Sequence, residues 1–340
     1  MNSLMLEEAR SAPRAVQELL GTDLETYRSL GAALRSSPPA GIVTIARGSS
    51  DHAAAYLAYL LTVRSGRLVT SLPMSLVTLY HAPLAANRLL AIAISQSGRS
   101  PDVVEPIREL RKGGATTAAI LNDASSPLRS AAKWVLPLHA GLERSVAATK
   151  SFICSLVAGA RLTAHWCECE DLLQGLRLLP SALEEACSLD WSGAVEPLAG
   201  SERLMVIARG LGFSIAKEAA LKLKETCGIQ AEAFSAAEVR HGPQALIAAG
   251  YPLFAFALRG PTQGEVLALA AEMRQRGAKV ILAAPADVPE RDLTLATTFS
   301  EHLDPIAAIQ SFHLLAEAVS RARGRDPDRP PFLHKVTSTR

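Results

Sequence analysis

One four-residue sequence occurs twice in this chain, at an offset of 162 residues. Ile45-Ala46-Arg47-Gly48 returns as Ile207-Ala208-Arg209-Gly210. In both copies a short apolar run precedes the repeated residues and a helical stretch follows them. A repeat whose flanks also agree predicts two domains of one fold, and a chain of 340 residues is long enough for two cores.

Short apolar runs alternate with helical segments through both copies. The expected strands are 42–46, 89–94, 118–121, 134–138, 204–208, 252–258 and 279–284. The expected helices are 51–62, 101–112, 149–166, 214–226, 264–276 and 305–323. Continuous apolar strands separated by helices are typical of a parallel sheet covered on both faces. The sequence therefore predicts an α/β fold of two doubly wound, flavodoxin-like domains, each with a five-stranded parallel sheet.

Polar and proline-rich segments set the expected boundaries. We expect a helical leader over residues 1–30, a first domain over 31–187, a second domain over 188–325 and a tail over 326–340. The polar stretch 188–201 separates the two domains. Pro327, Pro330 and Pro331 exclude a regular helix from the tail.

Charge and hydropathy exclude several classes of function. The formal net charge of +2 gives no reason to expect nucleic acid or a membrane surface as a partner. Glu7 and Glu8 stand where a secretory signal would need basic residues. No apolar run reaches the roughly 20 residues of a membrane span. Five cysteines without regular spacing indicate a reducing compartment, so we expect a cytoplasmic protein.

His165, Cys167 and Cys169 are metal-ligating residue types that lie close together in the sequence. Their spacing matches no zinc motif, and no second cluster completes a site. The sequence therefore predicts no metal site. No organic cofactor is implied either, because side chains alone can transfer a proton next to a carbonyl or imine carbon.

Two loops place hydroxyl groups at the predicted carboxyl edge of the first sheet. One reads Ser95-Gln96-Ser97-Gly98-Arg99-Ser100-Pro101, in which Ser100 suits a helix N-cap and Pro101 the first helical turn. The other reads Arg47-Gly48-Ser49-Ser50-Asp51. Hydroxyls beside a helix N-terminus can bind a phosphate, although each loop alone could be a plain capped turn. The second copy has Gly210-Leu211-Gly212-Phe213 here, without hydroxyls, so we expect one phosphate cradle, in the first domain.

A charged helical segment and a histidine loop follow the second copy of the repeat. Lys222 and Glu225 are three residues apart on the predicted helix and share a face. An exposed pair of this kind would be a solvated ion pair of little energetic weight. His241 begins a His-Gly-Pro loop, where a lone histidine is more often structural than catalytic.

These segments resemble the sugar isomerase (SIS) family, and within it the isomerase half of glucosamine-6-phosphate synthase. Residues 94–98 are similar to the sugar-phosphate loop of that enzyme, and 220–225 to its catalytic-helix motif. The segment 231–243 follows without a gap, and the tail 326–335 is similar to the tail that carries the family's terminal active-site lysine. The resemblance covers the chain from about residue 30 and implies the tandem α/β fold.

The resemblance also implies roles for particular residues. Glu225 would be the base that moves a proton between C1 and C2 of the opened sugar, and Lys222 would tune it. His241 would assist ring opening from the neighbouring subunit, which implies a homodimer. Lys335 would act near the substrate carbonyl as a Schiff-base former or as a stabilising cation. The phosphate would be bound by Ser50, Ser95, Gln96, Ser97 and Ser100, and other parts of the substrate by Ser49, Val146 and His334.

The implied function is that of a sugar-phosphate enzyme. The synthase needs an N-terminal glutaminase domain, for which the leader here is too short. We therefore expect a deaminase that converts glucosamine-6-phosphate to fructose-6-phosphate and ammonia. A fructosamine-phosphate deglycase and an aldose–ketose isomerase are alternatives that could use the same base. A non-catalytic sugar-phosphate sensor is disfavoured, because the chain shows no helix-turn-helix segment and carries the Glu225, His241 and Lys335 set.

Several positions depart from the synthase pattern. Arg99 and Ser100 replace an acidic residue and a threonine, and Ala148 replaces a serine. His334 precedes Lys335 where a small residue is usual. These differences leave the identity of the sugar open.

Overall fold

The computed structural model describes residues 3–335 as two parallel sheets with helices around them. The strands of the first sheet are β1 (Gly41–Ile45), β2 (Val69–Ser71), β3 (Leu89–Ser95), β4 (Thr116–Leu121) and β5 (Trp134–Pro137). Those of the second are β6 (Arg203–Ala208), β7 (Gln230–Ser235), β8 (Pro252–Phe256), β9 (Lys279–Ala284) and β10 (Leu293–Thr294). The helices up to the end of the first sheet are α1 (Leu4–Arg10), α2 (Ala12–Gly21), α3 (Leu24–Ser36), α4 (Ser49–Ser65), α5 (Ser75–Thr78), α6 (Pro101–Lys112) and α7 (Pro127–Ala131). The later helices are α8 (Lys150–Cys167), α9 (Glu170–Ser188), α10 (Val195–Ala199), α11 (Leu211–Lys222), α12 (Ala236–Val239), α13 (Gln263–Gln275) and α14 (Asp304–Ala322).

The two sheets have the same strand order. The first runs β2-β1-β3-β4-β5 and the second β7-β6-β8-β9-β10, and every strand pair in both is parallel. Counted within each sheet, both orders are 2-1-3-4-5, the order of flavodoxin-like folds. The predicted fold class, two flavodoxin-like domains with five parallel strands each, is confirmed.

The central strands of the first sheet are apolar because helices cover both faces. In β3 and β4 every residue after the first is buried. Val103, Ile107 and Leu110 of α6 lie at helical spacing and pack against the small side chains of the strands. Burying each such large side chain contributes about 1.5–3 kcal/mol, so the apolar runs in the sequence become the core of this sheet.

The second sheet has an aromatic core. Phe254 and Phe256 of β8 pack against Phe312 of α14, and the rings of Phe254 and Phe312 meet edge to face at 5.2 Å between centroids. The ring of Trp191 lies 6.1 Å from that of Phe254, and its N–H donates to the carbonyl of Thr294 at 2.9 Å. Edge-to-face packing of this kind adds about 0.5–1.5 kcal/mol per pair to the burial term.

Contacts divide the chain into two units, and neither is continuous in sequence. The first unit comprises 1–13, 144–149 and 178–333, and contains the second sheet. The second unit comprises 14–143, 150–177 and 334–340, and contains the first sheet. The boundaries expected from the sequence, with a division between 187 and 188, stay a prediction. None of the helices within residues 3–335 is long and apolar enough to cross a membrane.

The strands that the apolar pattern did not predict, β2, β7 and β10, all lie at sheet edges. An edge strand has one neighbour and a partly solvated face, so it needs no continuous apolar run. No residue of β2 and only Ala231 of β7 is buried, and β10 has only two residues. The expected helix 214–226 also differs, because α11 ends at Lys222 and the backbone continues to Cys227 as a wider π-helical turn.

A close helix contact gives a test of this packing. A Cβ at Gly31 of α3 would lie 2.7 Å from the carbonyl oxygen of His165 in α8. Because this neighbour is backbone, Gly31→Ala should lower the free energy of unfolding by about 1–3 kcal/mol, despite alanine's better helix propensity. Gly21→Ala, at a helical glycine with nothing within 4 Å, is the control and should change it by less than about 1 kcal/mol. Urea denaturation followed by circular dichroism measures both, and equal effects would contradict the packing described here.

Candidate active site

The two hydroxyl-bearing loops follow neighbouring strands of the first sheet. β1 and β3 pair in parallel, with Ile45 opposite Ala93, so the loops after them leave the same edge. The strand order reverses between these two strands, because β2 lies on one side of β1 and β3 on the other. Ligands of open α/β sheets bind in the crevice at this point. The structure therefore brings the two predicted cradle loops to the position where a ligand is expected.

The loop after β3 is shaped by a buried serine and a glycine. The Ser95 hydroxyl, which is buried, accepts a hydrogen bond from the Gly98 N–H at 3.0 Å. Gly98 has a φ of +60°, and a Cβ there would lie 2.2 Å from the Ser126 Oγ. Backbone conformation and space thus both require glycine at this position.

The remaining residues of this loop lie at its open side. Gln96 and Ser97 are half-buried, and the Ser97 Oγ accepts from the Arg99 N–H at 3.3 Å. Ser100 is the N-cap residue of α6, and Pro101 is the first residue of the helix, as expected. The backbone of Ser100 is extended, as is typical of an N-cap residue, and its side chain makes no capping hydrogen bond.

The loop after β1 turns at Gly48 and opens α4 with Ser49 and Ser50, both half-buried. Gly48 has φ +54° and ψ −134°, and Gly210, its counterpart in the second copy, has φ +60° and ψ −133°. The repeated sequence therefore forms the same turn twice. Only the first copy follows it with hydroxyl groups.

Two arginines lie on these loops, and sequence reasoning assigned no role to either. Arg47 donates to the buried carboxylate of Asp102, in the first turn of α6, at 2.9 Å, and its side chain is 57% exposed. Arg99 donates to Asp123 at 2.7 Å and 3.1 Å. Hydrogen bonds from Ser125, and then the guanidinium of Arg99, hold the pKa of Asp123 below its usual value. Each carboxylate fixes a partly exposed guanidinium beside the cradle, and guanidinium groups suit phosphate recognition.

The second copy has an ion pair that corresponds to Arg47–Asp102, with a glutamate in place of the aspartate. Arg209 is ion-paired to Glu265, in the first turn of α13, at 2.7 Å. Arg47 and Arg209 are the same residue of the repeated sequence, so the pair belongs to the shared fold. The sequence held one indication of this ion pair, because the repeated four residues include an arginine in both copies.

A buried cluster of three charges surrounds the end of α11. The Lys222 Nζ lies 2.5 Å from a Glu225 oxygen and 3.3 Å from a Glu218 oxygen. Lys222 and Glu218 are fully buried, whereas the Glu225 side chain is 22% exposed. The expected proximity of Lys222 and Glu225 is therefore observed, and the alternative of a solvated surface pair is wrong. Sequence reasoning missed Glu218, although it stands four residues before Lys222 on the same face.

The electrostatics of the cluster keep Lys222 charged. Burial alone would lower its pKa, but the carboxylates of Glu218 and Glu225 outweigh burial and raise the pKa well above its usual value. Glu225 thus has a permanent cation on one side and an opening to solvent on the other. A partly exposed carboxylate held in this way can exchange a proton with a bound molecule.

The turn that carries Glu225 is fixed by α14. The Ser320 hydroxyl donates to the Thr226 carbonyl at 2.8 Å, and the Cys227 thiol donates to the Ala316 carbonyl at 3.3 Å. The Thr226 hydroxyl donates back to the Lys222 carbonyl at 2.8 Å. π-Helical turns inside α-helices occur frequently at functional sites, and this one directs Glu225 away from the regular helical register.

His241 lies apart from this cluster. It is exposed on the turn after α12, where its N–H donates to the Glu238 carbonyl at 2.9 Å. It lines a cavity of about 360 Å³ together with Arg209, Arg240 and Glu265. Within residues 3–335, no hydrogen bond or ion pair joins His241 to Glu225.

Lys335 ends the described part of the tail. Its ammonium lies 2.8 Å from an oxygen of Glu143, a buried carboxylate that sequence reasoning missed. His334 is exposed, and Val146 is half-buried, with its N–H donating to the Asp328 carbonyl at 3.4 Å. The expected contacts of His334 and Val146 with the substrate stay a prediction.

Metal ligands do not cluster in the described residues. No group of three or more histidine, cysteine, aspartate or glutamate side chains between residues 3 and 335 is arranged to hold a metal ion. His165 packs beside the ring of Tyr27 instead, at 6.2 Å between ring centroids.

Known proteins match this chain over almost its whole length. A sequence model of the SIS domain matches residues 37–164 and 197–289. A glutamine–fructose-6-phosphate aminotransferase (isomerizing) of Thermus thermophilus is 34% identical, over 97% of this chain and 58% of that protein. A protein of the same name from Aeropyrum pernix is 35% identical, over 98% of this chain and 57% of its own length. The chain thus spans somewhat more than half the length of these relatives.

Solved structures match the fold closely. A provisionally named phosphosugar isomerase from Silicibacter pomeroyi is 37% identical with a TM-score of 0.91, covering 96% of this chain and 100% of that one. The C-terminal domain of glucosamine-fructose-6-phosphate aminotransferase from Francisella tularensis is 26% identical with a TM-score of 0.87, covering 97% and 99%. A glucosamine-6-phosphate deaminase from Thermotoga maritima, 21% identical with a TM-score of 0.79 over 99% and 100%, shares the fold.

The buried charge cluster predicts a large effect of removing its cation. Lys222→Met would leave the carboxylate of Glu218 buried beside that of Glu225, and should lower the free energy of unfolding by about 3–5 kcal/mol. Since the folded-state pKa of Lys222 is raised, its contribution is complete below the unfolded-state pKa and is lost only as pH rises through the folded value. The difference between variant and wild type should therefore be flat from about pH 6 to pH 9.

Lys224→Met is the matched control, because Lys224 is exposed and its ion pair with Glu232 is a surface pair at 3.6 Å. That variant should change the free energy of unfolding by no more than about 1 kcal/mol. Chemical denaturation of both variants at several pH values makes the comparison. A Lys222→Met protein as stable as the control would contradict the cluster described above.

Proposed function

We propose that this chain, which belongs to the SIS domain family, is a sugar-phosphate isomerase of the deaminating kind. The proposed reaction converts glucosamine-6-phosphate and water to fructose-6-phosphate and ammonia. The relatives that match 97–98% of the chain support this proposal, because their name includes both a sugar phosphate, fructose-6-phosphate, and an isomerising activity. The observation that carries the proposal is the Glu225 cluster, a partly exposed carboxylate held beside the buried cation of Lys222.

The cluster suits a proton shift between adjacent carbons. The opened sugar has an aldehyde at C1 and an amine at C2. The Glu225 carboxylate takes the C2 proton while O1 gains a proton, which gives an enolamine. The electrons of the C1–C2 double bond then take a proton from the protonated Glu225 at C1, and the lone pair of the nitrogen forms the C=N bond of an imine at C2. Water adds to C2 and ammonia leaves, so that a ketone remains and no redox partner is needed.

The cradle loops would bind the phosphate of the same sugar. Ser50, Ser95, Gln96, Ser97 and Ser100 supply hydroxyl, amide and backbone donors near the start of α4 and α6. Ser49, Val146 and His334 would contact other parts of the sugar. Arg47 and Arg99, each fixed by a carboxylate, add positive charge beside the cradle.

His241 would assist ring opening in a neighbouring copy of the chain, which makes the active form a homodimer. Its exposure on a turn suits a residue that is offered to another subunit. A cytoplasmic location is part of the same proposal, because all five cysteines are free thiols.

Plain aldose–ketose isomerisation of a phosphosugar is a second candidate. It is favoured by the 37% identity to a provisionally named phosphosugar isomerase that matches 96% of the chain. The same proton shift by Glu225 would act on a substrate with a hydroxyl in place of the amine. The two candidates differ in whether nitrogen leaves C2, so an ammonia assay separates them. A fructosamine-phosphate deglycase would release an amine from C1 instead.

Glu225→Gln should abolish the proton shift. An amide of the same size cannot cycle between base and acid, so kcat for ammonia release should fall by about 10²–10⁴-fold while the sugar phosphate still binds. Glutamate-dehydrogenase-coupled detection of ammonia measures the rate, and calorimetry measures the binding. Glu232→Gln is the matched control, with the same chemical change at a side chain that is 59% exposed, and should keep full activity.

Normal turnover by the Glu225→Gln protein would remove Glu225 from the role of base. Loss of binding together with turnover would instead assign the residue to substrate binding.

A further inference from the structure

We propose that Glu8 is a positioning residue that sets the conformation of the loop 144–149 and so places Val146 beside the sugar. This role rests on the proposed function, in which Val146 contacts the substrate. Glu8 lies on the buried face of α1 together with Met5 and Ala9. A carboxylate on such a face is costly unless hydrogen bonds compensate for its loss of water.

The Glu8 carboxylate binds the backbone of the loop that leads from β5 to α8. One oxygen accepts from the Arg144 N–H at 2.5 Å, and the other accepts from the Ser145 N–H at 3.1 Å. The next N–H, that of Val146, donates to the Asp328 carbonyl at 3.4 Å. Residues 144–149 belong to no helix or strand, so groups outside the loop must bind its N–H groups and thereby define its course.

Asp328 also connects the tail to α1. Its carboxylate accepts from the backbone N–H groups of Leu4 and Met5 at 2.8 Å and 2.7 Å. Asp328 therefore binds α1 with its side chain and the loop with its carbonyl, while Glu8 binds the loop from α1. These hydrogen bonds form a closed circuit of three segments that are distant in sequence. A helix of seven residues is too short to be stable alone, so α1 depends on such bonds for its position.

The circuit is anchored on the helix that also fixes the proposed base. The side-chain amide of Gln310 in α14 donates to the Ala9 carbonyl of α1 at 2.8 Å. Ser320 of the same helix donates to the carbonyl of Thr226, next to Glu225, at 2.8 Å. All these residues belong to the compact unit of 1–13, 144–149 and 178–333. The base and the loop are thus fixed to one helix, as the orientation of a substrate against a catalytic group requires.

Glu8 acts through Val146 and touches no reacting atom. Val146 would contact the sugar before the proton shift as well as during it. A displaced loop should therefore weaken the binding of the ground state and of the transition state alike, which raises KM and leaves kcat nearly unchanged.

Kinetics of Glu8 variants test this role. In Glu8→Gln one of the two loop N–H groups loses its acceptor, so KM for the phosphosugar should rise about 3- to 10-fold, the value of about one hydrogen bond, with kcat nearly unchanged. Glu8→Asp keeps both acceptor oxygens on a shorter side chain and should give a smaller rise. It carries the test if the glutamine variant does not fold. Glu7→Gln, an exposed neighbour on the same helix, is the control and should keep the wild-type KM.

Inorganic phosphate separates positioning from a general loosening of the protein. As a competitor it would occupy only the cradle, so its inhibition constant should stay within about twofold of the wild-type value in Glu8→Gln. A KM and an inhibition constant that rise together would overturn the positioning role. Equal KM values in the Glu8→Gln and Glu7→Gln proteins would also overturn it.

Hydrogen exchange tests the same contact without any reaction. In Glu8→Gln, peptides that span 144–149 should exchange their backbone hydrogens at least about tenfold faster than in the wild type, whereas peptides from β8 should not change. Unchanged exchange in 144–149 would overturn the proposal. If the wild type turns over no phosphosugar at all, the proposed function fails, and these exchange rates alone decide whether Glu8 holds the loop.

Discussion

Parallel pairing of the first and third strands of each sheet is the constraint on which the rest of the structure depends. Parallel strands need helical crossovers, so every strand of a sheet ends at the same edge. The pairing of Ile45 with Ala93 therefore brings the loops after β1 and β3 together, although more than forty residues separate them in sequence. The hydroxyl-rich cradle follows from that pairing, because each loop by itself is an ordinary capped turn.

Because the fold occurs twice in the chain, a comparison of the two copies distinguishes residues that the fold requires from residues that are candidates for function. Both copies keep the glycine turn, with nearly identical backbone angles at Gly48 and Gly210, and both keep an arginine paired to a carboxylate in a helical first turn. The hydroxyl cradle occurs beside the first sheet and the Glu225 cluster beside the second. Features present in both copies stabilise the fold, and features present in one copy are the candidates for function.

The sequence predicted what local patterns encode. Helix 101–112 was bounded by Ser100, Pro101 and a glycine pair, and α6 has those bounds. Pairs distant in sequence could not be predicted, because Arg47 and Asp102 are 55 residues apart and Glu143 and Lys335 are 192 apart. The π-helical turn at Glu225 was missed for the same reason, since hydrogen bonds from Ser320 to Thr226 and from Cys227 to Ala316 join it to the distant helix α14. The edge strands β2, β7 and β10 were not predicted, because a partly solvated strand needs no continuous apolar run.

The proposed reaction moves a proton from C2 to C1 of an aminated sugar phosphate and releases the nitrogen. The most direct measurement is proton NMR of glucosamine-6-phosphate with purified protein, without glutamine or added metal, together with an ammonia assay. The proposed reaction should give fructose-6-phosphate and ammonia in equal amounts, with loss of the C2 hydrogen signal of the substrate. Unchanged substrate, or an isomerised product that keeps its nitrogen, would contradict it.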